Sequence, residues 1–221
     1  MVRSKNILIS TDASGARNAA REGYLVMIVD VIDMSTSLES ALDAGAFAVL
    51  GASPDFTRAP VPVNPERMGE YAATLAQKTG RDLILIAEPR IGTDEDRLSR
   101  CQRVLTGIKN KGGNVAAVLP NLGAETPKLL DMSGKIVLAV SDTGGVAYDA
   151  AFQESDREIA GTVARTLGKR GVEPAMAAVH RALDMLDEKN KGIAVIAASR
   201  NSMEDVLAAE YIANLLLKEK L

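Results

Sequence analysis

Short apolar runs alternate along the chain with segments of helical spacing. The runs at 25–32, 83–87, 115–119, 136–140 and 193–198 are aliphatic and rich in β-branched residues, which is typical of strands buried on both faces. Weaker runs at 46–50 and 6–10 indicate further strands. The runs therefore predict a sheet whose strands are separated by helices.

The segments between the runs carry apolar residues three and four positions apart, as an amphipathic helix does. They predict helices over 36–44, 66–79, 94–110, 155–168, 174–189 and 203–219. This alternation predicts an α/β fold, a three-layer α/β/α sandwich with a mostly parallel or mixed sheet. We expect a single α/β domain over residues 1–221, with two intertwined halves as the alternative.

The composition narrows the class of protein. The 26 basic and 29 acidic residues give a net charge of −3, which offers no reason to expect nucleic acid or an anionic membrane as a partner. Cys101 is the single cysteine, so no intramolecular disulfide forms. The apolar runs are too short for a signal peptide or for a membrane span of about 20 residues. We expect a soluble cytoplasmic protein.

Residues 53–66 contain four of the eight prolines. Proline lacks a backbone N–H, so this segment is neither a central strand nor a continuous helix. We predict an ordered loop or a lid over a site, with a plain connector as the alternative.

Three apolar runs end in small polar turns that open helices. The turns read DVIDMSTS at 30–37, SDTGG at 141–145 and SRNSMED at 199–205. Ligands of α/β proteins collect at the carboxyl ends of strands, where helix N-termini favour phosphate, sulfonate or carboxylate groups. The predicted anion-binding residues are Ser35, Thr36, Ser37, Thr143, Gly144, Gly145 and Arg200.

The same turns have a structural interpretation, because most helices begin with a capping residue. Ser37 is suited to an N-cap, and Ser202 with Asp205 is similar to a capping box. Asp30 and Asp33 also have two interpretations. They are predicted catalytic carboxylates that could hold Mg²⁺; alternatively, one caps the following helix and the other is solvated.

At these turns the chain resembles the 2-phosphosulfolactate phosphatases of coenzyme M biosynthesis. That family carries Asp-Val-Leu-Arg-Ala-Thr-(Ser/Thr)-Thr and then Ala-Leu-x-x-Gly-Ala, where this chain reads DVIDMSTSLESALDAGA at 30–46. The family's Gly-Lys, strand and Thr-Thr-Asn-Gly-Thr correspond to GKIVLAVSDTGG at 134–145. Its final strand, Ser-Leu-Glu-Asp and Ala-rich helix correspond to IAVIAASRNSMEDVLAAEYIANLL at 193–217.

The resemblance implies an α/β/α fold and a Mg²⁺-dependent phosphatase that acts on a small anionic phosphate monoester. It implies Mg²⁺ ligands at Asp30, Glu204 and Asp205. Asp33 stands where the family has an arginine, and Arg90 or Arg200 is expected to supply the missing positive charge. The alternative is a relative that has lost catalysis and acts as a small-molecule binding or assembly protein. A third hypothesis is a metal-using lyase or isomerase of a carboxylated metabolite. A homodimer is a further expectation.

Overall fold

The computed structural model describes residues 5–219, which fold into helices and parallel strands, as an α/β sandwich requires. The strands are β1 (Asn6–Thr11), β2 (Leu25–Val29), β3 (Ala48–Ala52), β4 (Leu83–Ala87), β5 (Val115–Pro120), β6 (Ile136–Val140), β7 (Glu158–Gly161) and β8 (Gly192–Ala197). The α-helices are α1 (Asp12–Arg21), α2 (Met34–Asp43), α3 (Pro65–Thr79), α4 (Asp94–Ser99), α5 (Gln102–Asn110), α6 (Gly144–Phe152), α7 (Glu173–Met185) and α8 (Met203–Lys218). The predicted α/β class is confirmed.

The strands form two four-stranded sheets, and every pairing is parallel. The first sheet has the order β1-β8-β2-β7 and draws on both ends of the chain. The second sheet has the order β3-β6-β4-β5 and comes from the continuous segment between them. Helices α7 and α8 cover one face of the first sheet, α3 packs on the second, and α2 and α6 contact strands of both.

The carboxyl ends of the two sheets meet at the N-termini of α2 and α6. The backbone N–H of Ser141, which follows β6, donates to the carbonyl of Ala52 at 3.3 Å. The N–H of Ala198, which follows β8, donates to the carbonyl of Val29 at 2.9 Å. The Asp30 carboxylate accepts a hydrogen bond from the N–H of Gly144, and the Asp205 carboxylate accepts one from the N–H of Val31. All three polar turns singled out in the sequence therefore lie at one edge of the molecule.

Two predicted helices need correction. The segment 155–168 is not a helix, because residues 158–161 form β7 and pair in parallel with β2. The segment 94–110 is two helices, because the Asp55 carboxylate accepts hydrogen bonds from the N–H groups of Gln102 and Arg103 and so begins a second helix. Helix α1 was not predicted; its buried residues are alanines, a weak hydropathy signal. Within residues 5–219, no helix has the length and apolarity needed to cross a membrane.

Candidate functional site

Asp30 lies at the end of β2 with its carboxylate buried and fully engaged. Its Oδ1 accepts a hydrogen bond from the N–H of Asp33 at 3.0 Å. Its Oδ2 accepts from the Thr143 hydroxyl at 2.9 Å and from the N–H of Gly144 at 2.7 Å. Burial, followed by the charge of Asp33, raises the pKa of Asp30. The carboxylate thus caps the N-terminus of α6 and, through the N–H of Asp33, stabilises the turn before α2.

The hydroxyls of Ser35 and Thr36 bind other parts of the protein. Ser35 Oγ accepts from the N–H of Asp30 at 3.1 Å and donates to the carbonyl of Ile28 at 2.8 Å. Thr36 Oγ1 lies 2.8 Å from the Thr162 hydroxyl, just beyond β7. Both side chains are buried, so they fix the β2–α2 turn against its neighbours.

Ser37 and Gly145 are engaged in the same way. Ser37 Oγ donates to the side-chain oxygen of Asn121, which follows β5. The N–H of Gly145 donates to Ser141 Oγ at 2.9 Å. The first N–H groups of α6 are therefore satisfied by protein acceptors. Ser37 is not the N-cap of α2, because it lies within the helix and the N-cap position is Asp33, whose side chain makes no capping hydrogen bond.

Asp33 forms an ion pair with Arg90, which follows β4. Arg90 Nη2 lies 2.8 Å from Asp33 Oδ1 and donates to the carbonyl of Ile32 at 2.9 Å. Arg90 Nε lies 3.7 Å from Glu88 Oε1. Burial and the charge of Asp33 raise the pKa of Glu88. The guanidinium of Arg90, on the loop after β4, thus lies beside Asp33, the position at which the phosphatases that the chain resembles have an arginine.

Asp205 and Glu204 differ in position although they are adjacent. Asp205 is buried, and its Oδ1 accepts a hydrogen bond from the N–H of Val31 at 2.9 Å. Burial, together with the charge of Asp30, raises the pKa of Asp205 to about 6. Ser202 caps α8 by accepting from the N–H of Asp205 at 3.2 Å. Glu204 is exposed in the first turn of α8.

These carboxylates do not fit the magnesium site that the resemblance implies. Asp30 uses both oxygens on three protein donors, and Asp205 uses one on Val31. Within residues 5–219, no three His, Cys, Asp or Glu side chains group so as to hold a metal ion. A cation would have to displace hydrogen bonds that fix the two sheets together.

A cleft of about 350 Å³ opens beside this junction, where β1, β6 and β8 end. The proline-rich loop forms its other wall. Thr143 lines the cleft and joins it to Asp30. The polar side chains around the cleft are those of Asp12, Thr57, Arg58, Asp142, Thr143 and Ser199.

The acidic groups of the cleft are already paired. Asp12 accepts a hydrogen bond from the N–H of Arg200 at 2.9 Å and forms an ion pair with its guanidinium. Asp142 forms an ion pair with Arg100 at 2.6 Å. Arg58 is exposed and has no ion-pair partner in the part of the chain that the structure describes. Arg200, a predicted anion-binding residue, does not line the cleft and forms its ion pair with Asp12, which does.

Backbone strain concentrates at this cleft. Asp12 has a φ of 60° and Phe56 a φ of 61°, and no other non-glycine residue between 5 and 219 has a positive φ. Both residues line the cleft. Positive φ costs free energy in a side chain with a Cβ, and such strain tends to collect at binding and catalytic sites.

Asp149 of α6 joins the two ends of the proline-rich loop. Its Oδ2 accepts hydrogen bonds from the hydroxyl and N–H of Ser53 at 2.5 and 3.3 Å, and its Oδ1 accepts from the N–H of Asn64 at 2.8 Å. The loop is therefore ordered, as predicted, and its tip stands over the cleft. Sequence reasoning missed Asp149 and Arg58, because neither is near a strand end in the sequence.

Comparisons with known proteins do not assign the chain to a family. A scan against protein-family models finds no match, and a search of curated proteins finds no significant one.

Proposed function

We propose that this protein binds a small anionic metabolite in the cleft between the ends of β1, β6 and β8 and the proline-rich loop. The observation that carries this proposal is the backbone strain of Asp12 and Phe56, which both have a positive φ. Asp12 lines the cleft where β1 ends, and Phe56 lines it from the proline-rich loop. The position also supports it, since ligands of α/β proteins bind beyond the carboxyl ends of parallel strands.

The chemistry of the cleft favours an anion. Arg58 contributes a guanidinium that no described carboxylate neutralises, and Arg forms bidentate hydrogen bonds with carboxylate and phosphate groups. Ser199 contributes a hydroxyl. Helix α1 begins at the cleft, and Thr11 before it makes no side-chain cap, which leaves N–H groups for a ligand.

The junction around Asp30 supports binding without hydrolysis. In the resemblance to the phosphatases, the N-termini of α2 and α6 would hold the phosphate. Here Asp30 and Ser141 accept the hydrogen bonds of Gly144 and Gly145, and a carboxylate in that place repels a phosphate. This arrangement is expected of a relative of the phosphatases that keeps their fold and has lost their phosphate-binding groups.

Hydrolysis of a phosphate monoester is the second candidate. The Thr143 hydroxyl lines the cleft and donates to Asp30, whose pKa is raised. A carboxyl group with a raised pKa keeps its proton to a higher pH than an ordinary aspartate does, which suits a general acid. A phosphoester bound in the cleft beside Thr143 would thus be connected through the Thr143 hydroxyl to the Asp30 carboxyl group, which could supply a proton.

One experiment separates the two candidates. Calorimetry with lactate, sulfolactate, phosphoglycolate and inorganic phosphate should detect binding of at least one anion, weakened roughly tenfold by Arg58→Ala. Arg21→Ala is the matched control, because Arg21 is exposed at the far end of α1. Phosphate release from phosphoglycolate or 2-phosphosulfolactate, with Mg²⁺ or EDTA, tests hydrolysis. Phosphate release that is lost in Asp30→Asn would favour the phosphatase. Anion binding that is equally tight in the wild type and in Arg58→Ala would refute the proposed binding cleft.

A further inference from the structure

The cleft that is proposed to bind an anion has an apolar floor. Ala13 of α1 and Val146 of α6 line the cleft and belong to one buried apolar cluster. Ala59 of the proline-rich loop lines it too and packs against that cluster. Ala198, which follows β8, is a further buried lining residue. Each of the four chain segments around the cleft therefore contributes an apolar side chain.

The small size of these four side chains leaves room for a ligand group. Three of the four are alanines, whose methyl groups extend only a short distance from the backbone. The cleft volume of about 350 Å³ lies within the range of pockets that hold small molecules. An apolar ligand group on this floor would displace water and gain the free energy of apolar burial.

Phe56 adds an uncovered aromatic ring to the same cleft. It lines the cleft and is 96% exposed, so water covers almost the whole side chain. The loop that carries it is held at both ends by the carboxylate of Asp149, so an ordered segment presents the ring. An apolar ligand group in the cleft would remove part of this ring from water.

The charged groups of the cleft favour a ligand with a single negative charge. Arg58 is the available cation, whereas Asp12 and Asp142 also line the cleft and are paired with other arginines. These two carboxylates would repel the second charge of a phosphate or a dicarboxylate. A carboxylate group carries one charge and forms two parallel hydrogen bonds with a guanidinium.

We propose that the ligand of this cleft is a monocarboxylate with a branched aliphatic or aromatic side chain, an inference that rests on the anion binding proposed above. The carboxylate binds Arg58, and the side chain lies on Ala13, Val146 and Ala198 beside the ring of Phe56. The apolar floor then selects this class of ligand over smaller anions that carry the same head group.

The test uses three 2-hydroxy acids that share one head group. Lactate carries a methyl group, 2-hydroxyisovalerate an isopropyl group and 3-phenyllactate a benzyl group. Calorimetry with the full chain should show that each of the two larger acids binds roughly tenfold or more tighter than lactate, because each further buried carbon strengthens binding a few fold. Phosphoglycolate should bind no tighter than lactate, because it carries a second negative charge.

Two variants change the apolar surface with little effect on shape or strain. Val146→Thr places a hydroxyl group on the floor, and Phe56→Asn removes the ring and suits a positive φ. Each should weaken the two larger acids by roughly fivefold and lactate by less than about twofold. Val172→Thr is the matched control, because Val172 is exposed at the start of α7 and outside the cleft. Urea unfolding checks that every variant is folded.

The outcomes separate this inference from the binding proposal on which it rests. Equal affinities for the three acids, all weakened by Arg58→Ala, would overturn the apolar side chain and leave anion binding in place. Tighter binding of phosphoglycolate than of 3-phenyllactate would overturn the single charge. Equal losses for lactate and 3-phenyllactate in Val146→Thr would overturn the role of the floor. A folded protein that binds none of these anions would refute both proposals.

Discussion

The Oδ2 atom of Asp30 accepts a hydrogen bond from the N–H of Gly144 at 2.7 Å, although 114 positions separate the two residues. Asp30 follows a strand of the first sheet, and Gly144 follows a strand of the second. The contact thus joins the carboxyl ends of the two sheets. A Cβ on Gly144 would overlap the Asp30 carboxylate, so glycine is required there.

Gly144→Ala should lower the free energy of unfolding by about 1–3 kcal/mol, because the added methyl group must push the Asp30 carboxylate from α6. Urea unfolding measures the change. Gly168→Ala is the control, since its nearest neighbour would lie 3.5 Å from the new Cβ. Equal, small effects for both variants would show that the sheets do not depend on this contact.

Asp149→Ala should loosen the proline-rich loop, because Ser53 and Asn64 lose their shared acceptor. Brief trypsin digestion of the native protein should then cleave after Arg58 roughly tenfold faster than in the wild type. Asp184→Ala, at an exposed position on α7, should leave the cleavage rate unchanged. An unchanged rate in Asp149→Ala would mean that packing alone holds the loop.

The stability of the protein should fall as the pH rises toward neutrality. Burial raises the pKa of Glu39 from about 4.5 to about 7, despite its ion pair with Arg181. Folding therefore favours the protonated acid: this contribution is complete below about pH 4.5 and is lost as the pH passes about 7. It amounts to on the order of 3 kcal/mol.

Glu39→Gln should remove that contribution. Urea unfolding at about pH 5 and about pH 8 should show a smaller decline in the variant than in the wild type. Other buried carboxyl groups with raised pKa values, such as Asp205, remain in both proteins, so only the difference between the two declines reports on Glu39. Parallel declines would assign the pH dependence to those other groups.

Cys101 should resist alkylation in the native protein. Its thiol is buried, and burial raises its pKa to about 12, whereas the reactive form is the thiolate. Iodoacetamide at about pH 8 should label the protein only after denaturation. Rapid labelling of the folded chain would show that the segment between α4 and α5 opens.

The strands were predictable where the apolar runs are long, and β4 and β6 have the predicted bounds. β7 was not predictable in the same way, because residues 158–161 form a strand only by pairing with β2. The intervals between Ile159, Val163 and Leu167 suit a helix equally well. Tertiary pairing decided between the two.

The junction at Asp30 was predictable as a meeting point, since carboxyl ends of parallel strands gather at one edge. The hydrogen-bond and ion-pair partners of the side chains at this junction were not predictable, because they depend on how the two sheets are arranged. Asp33 forms an ion pair with Arg90, and Arg200 forms one with Asp12. The partners of each pair lie on different loops, and no local sequence pattern shows that these loops meet. The proposed cleft depends on such pairings, because they leave Arg58 as its available cation.

The division of the strands between the sheets bears on how the chain assembles during synthesis. All strands of the second sheet lie between residues 48 and 140, so it can form before the chain is complete. The first sheet places Asn6 opposite Gly192 and must await the last strand. Until then β1 and β2 lack the strand that separates them. A nascent chain would therefore carry the open sheet edges that chaperones recognise or that aggregate, and its first strands would be the last to be secured.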